Sequence, residues 1–283
     1  MNEETNKAIF PVVEIFESIQ GEGLYTGVPS VFVRVTGCNL RCCFKNSICD
    51  SAYTSHKAEA PKWIHVKDVI KEIMRIKSPK TDHIVITGGE PMLYQKGLNV
   101  LTYELGKLTF YEDTPDFKIT IETNGTIVPN QDSLNDIMLW SLSPKLESSC
   151  CFEGKHLFKS EQEQHERLRF NPEALSDYII DGRRVQLKFV WCGEETEKEI
   201  DKFLEDLSKY VETDIVPKTA IHTQEIFQHN MDSGMVQILL MPAGQTQEQI
   251  SSNAKSAVDA CIRRGWRYCD RTHIRIWGDL RGV

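Results

Sequence analysis

The hydrophobic pattern changes period repeatedly along this chain, and the changes come in a regular order. Val31-Phe32-Val33-Arg34-Val35 is short, β-branched and alternating and stops at Thr36-Gly37, so it predicts a strand that delivers a loop. Between residues 66 and 76 the apolar positions Val66, Val69, Ile70, Ile73 and Met74 follow the spacing of one helix face. Ile84-Val85-Ile86 is then a buried-strand run that ends in Thr87-Gly88-Gly89-Glu90-Pro91. Similar signals predict a helix over 93–108, a strand over 117–122, a short helix over 134–138 and a strand over 139–142. Further strands are expected at 185–191 and 236–241, with helices at 195–210 and 247–264.

Strand and helix in alternation imply a parallel sheet covered by helices, and such sheets bind ligands at the carboxyl ends of their strands. The loop after Val35, Gly88-Gly89-Glu90-Pro91, Glu122-Thr123-Asn124-Gly125, Ser143-Pro144-Lys145 and Met241-Pro242 all fall there. Segments 147–181 and 195–230 are polar and less periodic, and they read as peripheral helix and insertions. The expectation is an α/β chain in which residues 1–283 form one domain, because this length can bury a large core without disulfide staples.

Charge narrows the ligand class. A net charge of -8 lacks the basic face of a general nucleic-acid binder, so a small-molecule substrate is favoured. The stretch from Cys261 runs against this average, with Arg263, Arg264, Arg267, Arg271, Arg275 and Arg281 facing only Asp270 and Asp279, and most of these arginines read as solvated. The N-terminus opens acidic and polar, unlike a secretory signal, and no stretch approaches the roughly 20 apolar residues of a membrane span. A cytoplasmic protein with no membrane partner is expected.

Nine cysteines, odd in number and clustered at 38/42/43/49 and 150/151, fit metal binding in a reducing compartment better than a disulfide framework. Cys38, Cys42 and Cys49 could hold three irons of a four-iron cluster and leave one open, whereas centres that only carry electrons usually have four cysteine ligands. A zinc site, whose fourth ligand would be Cys43 or a distant residue, and thiols that bind no metal are the alternatives. Gly88-Gly89 would let backbone approach a ligand, although a plain turn uses two glycines as well. Glu90 at the mouth of the sheet could receive a ligand ammonium group.

A Cys-x3-Cys loop followed by Gly-Gly-Glu-Pro resembles the radical S-adenosylmethionine superfamily. Its members bind the methionine amino and carboxylate groups to the open iron and cleave the sulfonium to a 5′-deoxyadenosyl radical. The blocks 16–23, 27–34, Cys49-Asp50-Ser51, 84–91, 121–126, 143–146 and 273–278 narrow the resemblance to the 7-carboxy-7-deazaguanine synthases. That resemblance implies an incomplete (β/α) barrel with peripheral insertions, commonly a homodimer. It also implies conversion of 6-carboxy-5,6,7,8-tetrahydropterin to 7-carboxy-7-deazaguanine with loss of ammonia, on the route to queuosine. A 4Fe-4S cluster, S-adenosyl-L-methionine, Mg2+ and an electron donor such as flavodoxin or ferredoxin come with it.

Carried over residue by residue, the resemblance makes Cys38, Cys42 and Cys49 the cluster ligands and Ser51 the Mg2+ ligand. Adenosylmethionine contacts would be Ile48, Cys49, Asp50, Gly89, Glu90, Glu122, Ser143, Pro144, Lys145, Met241, Pro242 and Ala243. Substrate contacts would be Ile19, Gln20, Gly21, Glu22, Arg34, Thr87 and His273. Taken singly, Gln20 and Glu22 also suit a glycine turn, Arg34 a pair across the sheet, and His273 an ordinary hydrogen-bonded histidine. The chain departs from the family around Phe44-Lys45-Asn46-Ser47, where added residues require the cluster loop to bulge. Cys43 is extra, Ile48 stands where an aromatic is common, and Ser51 replaces a threonine. A glycyl-radical-enzyme activase is the nearest other reading, and an iron-sulfur electron-transfer or zinc-binding module the nearest non-enzyme one.

Overall fold

Strands and helices alternate along much of the chain, and nine of the eleven described strands assemble into one open sheet while the other two pair as a separate hairpin. The computed structural model describes residues 7–44, 47–55, 58, 60–108, 116–130, 137–150, 158–180, 183–212 and 220–283. Its strands are β1 (Ile9–Ile19), β2 (Pro29–Val35), β3 (Cys43–Phe44), β4 (Ser47–Ile48), β5 (Lys62–His65), β6 (His83–Gly88), β7 (Lys118–Thr123), β8 (Leu139–Leu142), β9 (Arg184–Trp191), β10 (Val236–Pro242) and β11 (Arg267–Tyr268). The α-helices are α1 (Val66–Ile76), α2 (Gln95–Leu108), α3 (Lys159–Leu168), α4 (Pro172–Ile180), α5 (Glu195–Glu212), α6 (Ala220–Asp232), α7 (Gln247–Arg264) and α8 (Thr272–Trp277).

The sheet order is β11-β10-β9-β8-β7-β6-β2-β1-β5. Every pair from β2 through β6 to β11 is parallel, while β1 and β5 are antiparallel additions at one edge. β5 and β11 remain edges, so this is an incomplete (β/α) barrel. Parallel strands covered by helices are buried on both faces and read as near-continuous apolar runs. β8 accordingly buries all of Leu139, Trp140, Ser141 and Leu142, and Trp140 packs edge-on against Tyr178 of α4 at 4.7 Å between centroids.

The expected helix over 66–76 and the strands over 139–142 and 185–191 are present, and α7 spans 247–264. Within the helix expected over 93–108, residues 91–94 form a 3-10 turn that leads into α2. Most of the short helix expected over 134–138 lies outside the described residues, and Ile137 and Met138 are not helical. The polar segments contribute more than periphery. α5 sends Ile200, Phe203, Leu207 and Val211 into the main core, and α4 sends Ala174, Leu175, Tyr178 and Ile179.

β1 has a consequence for the site. Running antiparallel to β2, it returns the chain to the amino end of the sheet, where Ile19 pairs with Pro29. The following residues turn into the barrel: Leu24 N–H donates to Gln186 Oε1 at 2.9 Å, and Tyr25 packs on His83 at the start of β6. Residues 20–25 therefore enter from the end opposite the cysteine loop. None of the helices in the described residues is long and apolar enough to cross a membrane.

Candidate functional site

A cavity of about 270 Å³ lies inside the barrel and gathers residues from both ends of the sheet. On one side is the loop after β2, which carries Cys38, Cys42 and Cys49, all free thiols. The residues added between the second and third cysteines form the two-stranded hairpin of β3 and β4, in which Cys43 pairs with Ile48. Cys49 N–H then donates to the Cys42 carbonyl at 3.0 Å, so the two cysteines sit side by side across the base of the hairpin. The expected bulge is thus an antiparallel excursion, and Lys45 and Asn46 lie outside the described residues. Cys43 is disulfide-bonded and is not on the cavity wall, which separates it from the three free thiols.

Neighbouring elements hold the loop from several directions. Arg41 N–H donates to His165 Nδ1 at 3.1 Å, and the other ring nitrogen lies 3.0 Å from Ser149 Oγ. His165 is buried, so α3 supports the backbone next to Cys42. Asn39 donates to Thr126 Oγ1 at 2.7 Å and accepts from the Asn124 amide at 2.9 Å, which ties the loop to the end of β7. At Gly89 any Cβ would lie 1.9 Å from the Gly37 carbonyl, so only glycine lets this turn close on the cysteine loop.

Burial pushes all three thiols up, Cys49 to about 12. A bound metal reverses that preference, because its charge stabilises the thiolate. Among the described residues no three His, Cys, Asp or Glu side chains are grouped as they would be around a single ion. A four-iron cluster asks for something wider, with each thiolate on a different iron. Three free thiols on one cavity wall fit that group, and the fit weakens the zinc alternative.

The same cavity wall carries a dense set of charges. Glu22, on the segment that enters from the amino end, meets Lys188 Nζ at 2.5 Å through one oxygen and Arg271 Nε at 2.9 Å through the other. Lys188 also lies 3.9 Å from Glu122, which accepts from Gln20 at 3.3 Å and from Thr87 Oγ1 at 2.6 Å. Burial alone would raise the Glu22 carboxyl, but Lys188 and Arg271 hold it well below the usual carboxylate range. Burial would likewise depress Lys188, yet Glu22 and Glu122 hold its ammonium above the ordinary lysine range. His273 shifts down because it is buried. It fits only because residue 21 is glycine: a Cβ there would lie 2.1 Å from His273 Nδ1.

Most residues singled out in the sequence line this cavity: Ile19, Gln20, Gly21, Glu22, Arg34, Thr87, Gly89, Glu122, Ser143, Lys145, Met241 and His273, besides the thiols, Asp50 and Ser51. Ile48, Glu90, Pro144, Pro242 and Ala243 are not on its wall. Glu90 is 0% exposed and accepts from Met92 N–H at 3.0 Å, Thr123 Oγ1 at 2.7 Å and Asn124 N–H at 2.7 Å. Its carboxyl fixes the scaffold behind the cavity. Glu122, expected on the cofactor side, stands with Gln20 and Thr87 of the expected substrate side. Arg34 does pair across the sheet, with its register partner Glu14 at 2.8 Å, while remaining on the cavity wall.

Sequence reasoning missed Lys188, Arg271, Tyr53 and the tail from Gly278 to Val283, all of which line the cavity. Lys188 left a signal, as the one charged residue in the apolar run 185–191. Arg271 was hidden among the C-terminal arginines, and several of those are paired outside the cavity: Arg263 with Glu197, Arg264 with Asp201, and Arg275 with Asp270. Arg281 lies 3.6 Å over the Tyr53 ring.

The model of the Radical SAM superfamily matches residues 32–137, the span from β2 past β7. The 7-carboxy-7-deazaguanine synthase of Halobacterium salinarum is 33% identical over 272 residues, covering 95% of this chain and 91% of that relative. The chain belongs to the 7-carboxy-7-deazaguanine synthase family. The synthase of Rhodopirellula baltica is 32% identical with 96% of this chain and 88% of the relative covered, and that of Pyrobaculum aerophilum is 26% identical with 96% of each. The solved structure of QueE from Escherichia coli superposes with a TM-score of 0.61 at 24% identity, over 96% of this chain and 99% of that one, and shares its fold. Membership of the radical S-adenosylmethionine superfamily implies a 4Fe-4S cluster and S-adenosylmethionine, for which the three free thiols of this cavity are suited.

Proposed function

We propose that this protein converts 6-carboxy-5,6,7,8-tetrahydropterin to 7-carboxy-7-deazaguanine with loss of ammonia, and that the reaction takes place in the barrel cavity. The observation that carries the reading is the sharing of one cavity by three free thiols and the set Gln20, Glu22, Glu122 and Lys188. The names of the relatives, matched over most of their length, support the same product. A cluster with bound S-adenosylmethionine supplies the one-electron chemistry that starts the reaction.

Protein residues bind, orient and set charge. Cys38, Cys42 and Cys49 would hold the cluster, with Asp50, Gly89, Ser143, Lys145 and Met241 around the cofactor. Glu22, kept ionised by Lys188 and Arg271, offers acceptors to the N–H groups of a pterin ring. Arg34 and His273 complete the substrate wall, and Arg34 can meet the substrate carboxylate. Ser51 Oγ, 3.3 Å from Asp50 Oδ1, supplies the hard oxygen that Mg2+ prefers. Glu90 acts from behind by fixing Asn124 and Thr123. We further propose a cytoplasmic homodimer that draws electrons from a flavodoxin or ferredoxin.

The test is anaerobic turnover of the reconstituted protein with S-adenosylmethionine, reductant and the carboxytetrahydropterin, with and without Mg2+. Release of 7-carboxy-7-deazaguanine and ammonia, faster with Mg2+ and insensitive to it in Ser51→Ala, is the expected result. Cofactor cleavage with no deazaguanine would refute the substrate assignment.

A further inference from the structure

Arg271 sits at the residue before α8 and is 7% exposed. Its three guanidinium nitrogens reach three separate segments: Nε donates to Glu22 at 2.9 Å, Nη2 to Asp50 Oδ2 at 2.5 Å, and Nη1 to the Gly244 carbonyl at 2.5 Å. Glu22 belongs to the segment entering from the amino end, Asp50 follows the third cysteine, and Gly244 follows β10. Asp50 continues the chain of contacts, since its Oδ1 accepts from Ser51 Oγ at 3.3 Å and lies 3.7 Å from Cys49 Sγ. A planar guanidinium fixes the mutual positions of its partners as a lysine ammonium does not.

We propose that Arg271 is a positioning residue that couples the substrate-facing Glu22 to the cofactor-facing Asp50 and Gly244, so that the state of one wall sets cofactor affinity at the other. The inference rests on the reading above, which puts the cofactor beside Asp50 and the end of β10. Glu22 makes no hydrogen bond or ion pair to Asp50 or Gly244 among the described contacts. Arg271 is the one side chain that hydrogen-bonds to both Glu22 and Asp50 among the described contacts, and its cation offsets the direct repulsion between those two carboxylates. A residue that served only to fill space between α8 and the barrel would do neither.

A double-mutant cycle tests this without the pterin. S-adenosylmethionine is titrated into reconstituted cluster-loaded protein, with the electron-resonance change of the reduced cluster as the readout. The proteins are the parent, Glu22→Gln, Arg271→Gln and the double variant. Glu22→Gln is expected to weaken cofactor binding about threefold to tenfold in the parent, and by less than about twofold once Arg271 is glutamine. Arg271→Lys, which retains the charge without the fork, is expected to restore part of the affinity and little of the coupling. Equal effects of Glu22→Gln in both backgrounds, or none in the parent, overturn the proposal. Should Arg271→Gln fail to fold, Arg271→Lys carries the same cycle. Arg264→Gln, at an exposed pair outside the cavity, is the control with unchanged titration. Failure of pterin turnover in the parent would strike the substrate assignment and leave this cycle readable.

Discussion

Glu22 and Glu90 are both carboxylates taken out of water, and the protein holds them in opposite ways. Glu90 accepts only from neutral donors, two backbone N–H groups and one hydroxyl, and burial prevails, so its carboxyl shifts up. Glu22 is clamped between Lys188 and Arg271, which overcome a comparable burial and shift it down. The scaffold beneath the cavity thus manages buried ionisable groups with neutral hydrogen bonds, and the cavity wall manages them with counter-charges. A neutral network fixes shape, whereas a charged one also presents a field to a ligand.

The contrast is broken most strongly by Lys188→Met. It leaves Glu22 and Glu122 without their shared cation, and removal of one partner from a buried pair costs about 3–5 kcal/mol. Urea unfolding should show that loss, and the further change Glu22→Gln should recover part of it. A loss no larger than that of an exposed pair would erase the distinction.

His83 extends the scaffold side of the comparison. It is buried between Ser30 and Thr120, and burial lowers it from 6.5 to about 4. Between those two values the unfolded chain binds the proton and the folded one does not, so stability falls as pH falls, by about 3 kcal/mol in total. Above 6.5 this group contributes no pH dependence. Denaturation midpoints across that window, compared with those of His83→Gln, check the sign, and an unchanged slope would refute it.

Glu90→Gln is a smaller perturbation: it turns one amide N–H group toward existing donors and should cost about 1–3 kcal/mol. Iron content and cofactor binding should survive it, and their loss would move Glu90 from scaffold to site. The least effect is expected from Arg264→Gln, whose partly exposed pair with Asp201 is worth under about 1 kcal/mol by thermal melt.

The parallel units were legible because each strand is an apolar run bounded by a turn, as at 84–91, and because α1 and α7 are strongly periodic or well capped. β1 was not legible: Pro11 and a register shift between Val12 and Glu14 interrupt its alternation, and its second half carries Glu14, Glu17 and Ser18. Missing β1 concealed that the loop of Gln20 and Glu22 enters from the amino end. The thiols and Gln20, Glu22 and His273 could be picked out because their blocks stand in family order. Arg271 could not, because which of several arginines turns inward depends on tertiary contacts hundreds of positions apart in sequence, such as 271 with 22.

The hairpin of β3 and β4 separates the length of the cysteine loop from the placement of its thiols. With Cys49 N–H bonded to the Cys42 carbonyl, the second and third cysteines are held side by side by one backbone hydrogen bond at the base of the paired strands. The spacing of those two sulfurs is therefore set by strand pairing rather than by the number of residues between them, as a clasp fixes two points of a cord whatever its length.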